Sequence, residues 1–382
     1  MKLIIITNGY PSKKKPYFFV FVEKLVKEFA ELNIDCYVIS PQSITKSLFR
    51  SEGFLNKISE VKSSKNYSIK IFRPYYFSFS GFHQFRKIHN YTYRNSILNC
   101  IKRNKIEPDL FYCHFWESSI HIINFSEENK IPIVVATGES DIPKFNYLDK
   151  PFISKINKFV KSVVCVSSKN MVESISHGLT CESKCTVLPN SVDTSIFFKD
   201  KKSRLFMRKK LELNDDDFVV IFVGDFIHRK GSKRLSSAIK KMNDDTIKVI
   251  YIGSGPDQPV CDNIIFKNIV ENKQLPKFLN ASDLFVLPTL SEGSCNAIIE
   301  AMSCGLPIVS SDLPFNDEFL EDSNSIRINP LNIDEISSAI KRFQLNKKFR
   351  NELAKNSYEK SKKFDIKIRA KNIKNILEST LK

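Results

Sequence analysis

The densest chemistry in the chain lies in Ser291-Glu292-Gly293-Ser294-Cys295-Asn296-Ala297-Ile298-Ile299-Glu300-Ala301-Met302-Ser303-Cys304-Gly305-Leu306-Pro307. A strand over 284–287 leads into it and ends at Pro288. Gly293 permits a tight turn and close backbone approach. A helix over 295–304 then begins. Its first amides lack intrahelical partners and carry partial positive charge, so they suit a diphosphate. Gly305 and Pro307 mark its end. Glu300 stands among Ile298, Ile299, Ala301 and Met302, so the helix reads as buried almost all round. A carboxylate there needs partners, because an unpaired buried charge is costly. Vicinal ribose hydroxyls would engage both of its oxygens; solvent or a structural amide would serve as well. Asn296 lies one turn earlier on the same face.

The elements that must position these residues follow from hydrophobic period. Short β-branched runs at 3–7, 35–40, 110–114, 131–137 and 163–167 read as strands. Residues 18–32 have helical spacing, with Phe21, Leu25, Phe29 and Leu32 on one side. The rhythm weakens over 190–214, a polar, Lys-rich stretch read as a linker. It restarts with strands at 218–224, 248–252, 264–266, 284–287 and 307–310. Helices fall near 233–242, 273–280, 295–304 and 333–343. This alternation predicts an α/β protein with parallel, doubly wound sheets. The 382 residues suit two domains. The expected division is 1–195, 196–360, and a C-terminal helix over 361–382 returning to the first domain. Open α/β sheets form crevices at their strand ends, so a ligand is expected in a cleft between the two Rossmann-like domains.

Composition bounds the rest. No apolar run approaches the roughly 20 residues that span a bilayer. The first nine residues read as a buried strand and turn, not as a signal peptide. Nine scattered cysteines read as reduced thiols. Cys181 and Cys185 lie close together, but no second Cys/His pair completes a zinc site. Asp215-Asp216-Asp217 reads as a solvated turn rather than a metal motif, so no metal or other cofactor is expected. The net charge of +17 points to a polyanionic partner, be it nucleic acid, anionic lipid or phosphorylated substrate, or to a Lys-rich proteome. Within 72–94, Tyr75, Tyr76, Phe77, Phe79, Phe82, Phe85, Tyr91 and Tyr93 interleave with Arg73, Arg86, Lys87 and Arg94. That mixture suits either a membrane or acceptor surface, or a loop and helix packed on the first domain.

Glu292 and Glu300 have the E-x(7)-E spacing of the family-4 retaining glycosyltransferases, within the context E-G-x-x-N-x-x-x-E-A-M-x-C-G-x-P. Other marks of that family follow in order: Gly224 with Arg229-Lys230-Gly231, Gly253-Ser254-Gly255-Pro256, Leu279-Asn280-Ala281-Ser282-Asp283, and Leu287-Pro288. Val187-Leu188-Pro189-Asn190-Ser191-Val192-Asp193 resembles its interdomain segment. The resemblance runs from Tyr10-Pro11 to the C-terminus. It implies a GT-B fold, two Rossmann-like domains facing each other across a cleft. It also implies sugar transfer from a nucleotide diphosphate with retention of configuration. Carried over, Lys230 contacts the donor diphosphate and neutralises the departing nucleotide. Arg229 is a second cation candidate. Glu300 binds the ribose and Glu292 sits near the donor sugar. The amides of Gly293, Ser294, Cys295 and Asn296 hold phosphate or sugar hydroxyls. Ile269 and Val270 bracket the base. His114, at the end of a first-domain strand, matches a histidine near the reacting sugar; a hydrogen-bonded core histidine is the alternative.

Some positions depart from that pattern. Asp225 stands where many members have Arg. Asn190-Ser191-Val192-Asp193 replaces the frequent N-G-V-D. Lys13-Lys14-Lys15-Pro16-Tyr17-Phe18-Phe19 replaces a glycine-rich loop, and Thr137-Gly138-Glu139-Ser140-Asp141 replaces T-H-G-x-D. Glu139 and Asp141 are the candidates for gripping acceptor hydroxyls. The resemblance implies transfer to a hydroxyl of a growing, lipid-linked surface glycan. With the charge, it places the enzyme in the cytoplasm, peripheral on an anionic membrane. A nucleotide-sugar epimerase of the same architecture would lack this glutamate context. A non-catalytic nucleic-acid- or membrane-binding protein would explain the charge but not Lys230, Glu292 and Glu300 in order. A nucleic-acid partner is not expected.

Overall fold

The computed structural model describes residues 1–12, 15, 18–49, 53–78 and 85–382. Lys13, Lys14, Pro16 and Tyr17 of the Lys-rich loop, and Phe79 and Phe82 of the aromatic stretch, lie outside them. The chain forms two compact units. Unit 1 comprises residues 1–166, 170–188 and 367–382, and unit 2 comprises residues 167–169 and 189–366.

The strands of unit 1 are β1 (Lys2–Ile6), β2 (Asp35–Ile39), β3 (Gln42–Ser43), β4 (Ile58–Lys62), β5 (Ser68–Phe72), β6 (Tyr75–Tyr76), β7 (Leu110–His114), β8 (Ile133–Thr137), β9 (Val160–Cys165) and β10 (Cys185–Val187). Eight of them form one sheet in the order β10-β9-β8-β7-β1-β2-β5-β4. It is parallel except for the edge pair β4–β5. Strands β3 and β6 pair separately. The centre of the large sheet is covered on both faces, which explains its nearly unbroken apolar runs. Ile4, Ile6, Phe111, Cys113, Ile133 and Val135 pack on one side with Trp116. Leu3, Ile5, Leu110, Tyr112, Val134 and Ala136 pack on the other. The helix Val20–Glu31 covers that second face through Val22, Leu25, Val26 and Phe29. The C-terminal helix Ile366–Leu381 adds Ala370, Ile373 and Leu377 to the same cluster, which is why the chain's end belongs to unit 1.

Unit 2 holds β11 (Phe218–Val223), β12 (Ile247–Ile252), β13 (Ile264–Asn268), β14 (Leu284–Leu287), β15 (Ile308–Ser311) and β16 (Ser325–Ile328). Their order is β13-β12-β11-β14-β15-β16, and every pairing is parallel. Both sheets are doubly wound. The order reverses between β1 and β7 in unit 1 and between β11 and β14 in unit 2. Ligand crevices open at the carboxyl ends of strands beside such reversals.

The expected linker is a correction. Residues 190–214 include the helix Lys201–Lys210, and the units divide at 188/189 and 366/367 rather than at 195 and 361. Asp200 caps that helix by accepting from the amides of Lys202 and Ser203. Its inward face is cationic. Arg204 lies 2.7 Å and Arg208 3.4 Å from the Asp283 carboxylate. Leu205 and Phe206 face outward, 71% and 62% exposed. Met207 packs inward on the core beside the buried Arg208, so the apolar-in pattern is weak. No helix among the described residues is long and apolar enough to cross a membrane.

Candidate active site

In unit 2 the reversal point is built by two loops. The chain leaves β11 through Gly224 and Asp225 and enters the helix Ser232–Met242 by way of Arg229-Lys230-Gly231. It leaves β14 through Pro288 and reaches Glu292 four residues later. Gly231 has φ 82°, and a Cβ there would lie 2.5 Å from the Pro288 carbonyl oxygen. Only glycine lets the two loops close in this way. The Leu290 amide donates to the Arg229 carbonyl across the junction at 2.8 Å. A second junction joins the loops after β11 and β12. A Cβ on Gly253, where φ is 150°, would lie 2.0 Å from the Gly224 oxygen.

These loops bring charges together. Lys230 Nζ lies 2.5 Å and Arg229 Nη1 3.1 Å from the same oxygen of Glu292, Oε1. Thr289 donates to that oxygen at 2.9 Å. Arg229 also donates to the Ser291 carbonyl. The Glu292 and Lys230 side chains are only 9% and 14% exposed. Burial opposes the charge on Lys230, but Cys295 and Glu292 outweigh it, and its pKa is raised. Lys230 is therefore a fixed cation. Arg229 converges with it on the same carboxylate, so two cations meet although Asp225 occupies the position after Gly224.

The helix after β14 spans Asn296–Ser303, with Cys295 at its N-cap and no side-chain cap. Asn190 braces the approach. Its amide donates to Ser294 Oγ at 3.2 Å, and its side chain donates to the Ser294 carbonyl at 3.0 Å. Burial pushes the Cys295 thiol up to about 11, so it stays neutral. Two expectations change here. Gly293 is not among the glycines with positive φ; that demand falls on Gly224, Gly231, Gly253, Gly255 and Gly305. The helix is also not buried all round. Ile298, Ile299, Ala301, Met302 and Ser303 are buried, whereas Asn296, Ala297 and Glu300 form a half-exposed stripe. Glu300 is thus no buried charge in need of rescue; it lies on the accessible side of the helix. Asn296 Oδ1 is buried with no partner among the described residues. Ile269 and Val270 follow the end of β13. Ile269 is 58% exposed, and Val270 leans on the core.

In unit 1 His114 ends β7, beside the end of β1. It is buried against Tyr112 and Phe21, with ring centroids 5.3 and 5.9 Å away. Its Nε2 has no partner among the described residues. Burial, reinforced by Arg369, pushes its pKa down to about 3, so it is neutral at working pH. Glu139 is occupied by the protein itself. It accepts from the Trp116 amide (3.0 Å), Thr137 Oγ1 (2.6 Å) and the Gly138 amide (2.8 Å), tying the ends of β7 and β8 together. Burial raises its pKa against these bonds. A grip on sugar hydroxyls would be shared with these bonds. Asp141 is exposed on the same loop. The aromatic stretch divides between its two readings. Tyr93 is buried and donates to Asn8 Oδ1 at 2.8 Å, while Tyr91 and Phe77 are 60% and 45% exposed.

Thr289 and Asn8 had drawn no site expectation. Thr289 bonds Glu292, and Asn8 bonds Tyr93, Glu117 and Ser118, contacts that leave no spacing pattern to find. Asp215–Asp217 lie before β11, at the edge opposite the carboxyl ends, and Asp217 accepts from the Asn214 amide. Among the described residues no three His, Cys, Asp or Glu side chains could hold a metal ion together. All nine cysteines are free thiols.

Residues 203–360, most of unit 2, match the family model described as glycosyl transferases group 1. The chain is 28% identical over 370 residues to the putative teichuronic acid biosynthesis glycosyltransferase TuaC of Bacillus subtilis, covering 94% of this chain and 93% of that one. It is 23% identical over 236 residues to the N,N'-diacetylbacillosaminyl-diphospho-undecaprenol alpha-1,3-N-acetylgalactosaminyltransferase of Campylobacter jejuni, covering 59% of this chain and 62% of that one. Among solved structures, Anabaena Alr3699/HepE in complex with UDP superposes with a TM-score of 0.75 at 16% identity, over 99% of each chain. The fold is GT-B. The chain is a glycosyltransferase whose residues 203–360 match group 1. The epimerase and non-catalytic readings give way to this one.

Proposed function

We propose that the enzyme moves a hexosyl or N-acetylhexosaminyl group from a nucleotide-diphosphate sugar to a hydroxyl of a lipid-linked envelope glycan, with retention of configuration. The observation that carries this reading is the convergence of Lys230 and Arg229 on Glu292 at the unit 2 reversal point. Two fixed cations and the amides of a helix N-terminus suit a diphosphate, and they stabilise the charge that grows on it as the glycosidic bond breaks. Glu300, on the accessible face of that helix, would accept from the ribose hydroxyls, and Ile269 and Val270 would flank the base. Glu292 orients the cations and sits nearest the sugar.

In this mechanism the bond from the anomeric carbon to the phosphate oxygen breaks. The acceptor oxygen bonds to the same face of that carbon, and its proton passes to the leaving phosphate. No protein nucleophile is required. The cations can supply the electrostatics a metal ion supplies elsewhere, so transfer proceeds without one. His114 remains neutral and offers a hydrogen bond near the reacting sugar. Cytoplasmic work on an anionic membrane surface fits the net charge of +17 and the teichuronic acid and diphospho-undecaprenol names of the relatives.

A thermal-shift panel of nucleotide sugars tests the donor, since a ligand specific to the folded state raises its stability. One class should stabilise the protein. NMR of the product from that donor should show the donor's anomeric configuration. An inverted product, or transfer abolished by chelators, would remove the corresponding part of the reading.

A further inference from the structure

Unit 1 contains a cavity of about 260 Å³ at the carboxyl ends of β1 and β2, between the β3–β6 pair and the start of the chain's first loop. Its described lining includes three cations, Lys15, Lys46 and Arg73, and no carboxylate. Neither Lys46 nor Arg73 makes an ion pair among the described residues. Arg73 is buried, 6% exposed, and among the described residues its guanidinium donates to neutral acceptors, Ser59 Oγ at 2.6 Å and the Pro11 carbonyl at 3.1 Å. A buried cation without a counter-ion is unstable relative to the same cation beside an anion. Two polar atoms of the wall are also unpartnered. The Leu55 amide donates to Gln42 Oε1 at 2.8 Å, which fixes the amide group and leaves Gln42 Nε2 as a buried, unsatisfied donor. Tyr10 Oη, on a residue 4% exposed, is in the same state. Buried polar groups left unpaired call for a specific explanation.

We infer that this cavity is an anion site for a phosphoryl group carried by the acceptor. The inference rests on the transferase reading. The charge count selects the ligand. A phosphate ester beside Lys46 and Arg73 balances more of the wall's charge than a carboxylate does, and its several oxygens accept from guanidinium, ammonium, amide and phenol together. Location agrees. Asn8 and Gly9 line the cavity and continue β1, the strand beside β7, whose last residue is His114. An acceptor anchored by its phosphate would thus present its hydroxyl near that strand end.

Calorimetric titration of the full chain tests the site with N-acetylglucosamine 1-phosphate, neutral N-acetylglucosamine and galacturonate. The phosphate should bind at least tenfold tighter than either of the others. Lys46→Glu and Arg73→Met should each weaken it tenfold or more. Arg73 is buried and its variant can fail to fold; Lys46 is half-exposed, and its variant, checked by circular dichroism, decides the matter alone. Equal binding of the three sugars, or phosphate binding that survives Lys46→Glu, overturns the inference. So does loss of phosphate binding in Lys230→Ala in place of Lys46→Glu, because the phosphate then occupies the unit 2 site. A decyl phosphodiester of the same sugar that binds tighter than the monoester makes the source a lipid-linked acceptor, and the reverse makes it a free sugar phosphate; both support the site. Nucleotide-sugar binding without phosphate preference removes this inference and leaves the transferase reading. Phosphate binding without any nucleotide-sugar binding does the opposite.

Discussion

The two reversal points have the same topology and opposite electrostatics. In unit 2, Lys230 and Arg229 are already paired with Glu292 across two glycine-shaped loops. In unit 1, His114 is neutral, Glu139 accepts from backbone and hydroxyl donors, and Lys46 and Arg73 line a cavity with no acid among its described residues. Under the proposed function, the unit 2 site would hold its charges ready for the leaving diphosphate. The unit 1 site would present a neutral edge and, by the inference above, a separate anchor for the acceptor.

The largest effect expected from breaking this contrast is at Lys230. Lys230→Ala removes one charge aimed at the departing diphosphate and leaves Arg229 with Glu292. The initial rate of transfer at saturating donor should fall roughly 10²–10³-fold, the usual loss for one preorganised electrostatic donor. A rate within threefold of the unmodified enzyme would sink the assignment. The same substitution leaves unit 1 untouched, so circular dichroism and the emission of Trp116 should be unchanged. Trp116 is the chain's single tryptophan and lies in unit 1.

Next comes the glycine scaffold. Gly253→Ala would place a Cβ against the Gly224 carbonyl at a backbone angle that side chains rarely adopt. The expected loss is about 2–3 kcal/mol of stability, the range for such backbone strain. Gly293→Ala, at a position without positive φ, should lose less. Chemical denaturation of both variants checks the order. A reversed order would mean that the turn before the helix, not the β11–β12 junction, is the strained element.

That comparison also shows what was legible in the sequence. The strands were readable because both faces of each sheet are covered, and continuous runs such as Phe218–Val223 result. The unit 2 site was readable because each of its two loops carries a compact motif, Arg229-Lys230-Gly231 in one and residues 291–307 in the other. Lys230 and Glu292 face each other because β11 and β14 are sheet neighbours. The helix Lys201–Lys210 was hidden by its cationic inner face. Glu300's exposure was hidden because apolar neighbours in sequence do not show which face of a short helix is covered. The unit 1 cavity was unreadable for a different reason. Tyr10, Gln42, Lys46 and Arg73 come from three separated stretches, and no spacing along the chain joins them.

Acid should separate the two units. Five of the six histidines belong to unit 1, and burial pushes His114 and His121 down to about 3. The ordinary value is 6.5, so between about 6.5 and 3 the unfolded chain binds protons that the folded unit does not. Stability therefore falls as pH falls through that window, by about 1.4 kcal/mol per pH unit for each such histidine. His89 adds in the same direction. Glu139, with a raised pKa, works the other way, by taking up its proton in the folded state first. Trp116 emission should report unit 1 opening under acid before the unit 2 transition seen by circular dichroism. A single coincident transition, or a unit 1 midpoint flat from pH 7 to 4, would mean these imidazoles are not held neutral.

The smallest expected effect probes the edge of the unit 2 site. Ile269 is 58% exposed just past β13, so truncation to alanine costs little folding stability, within about 0.5 kcal/mol. If its side chain covers one face of the base, Ile269→Ala weakens nucleotide-sugar binding about 3- to 10-fold, or about 0.7–1.4 kcal/mol. The contact is the same in the bound and the reacting complex, so KM should rise while kcat holds. Val270 cannot serve for this test because it also leans on the core, and its truncation would mix folding with binding. An unchanged KM would place the base elsewhere along the strand ends and leave Ile269 as plain surface. A fall in kcat as well would mean that the base contact helps align the diphosphate with Lys230, which ties the outer edge of the site to its charged centre.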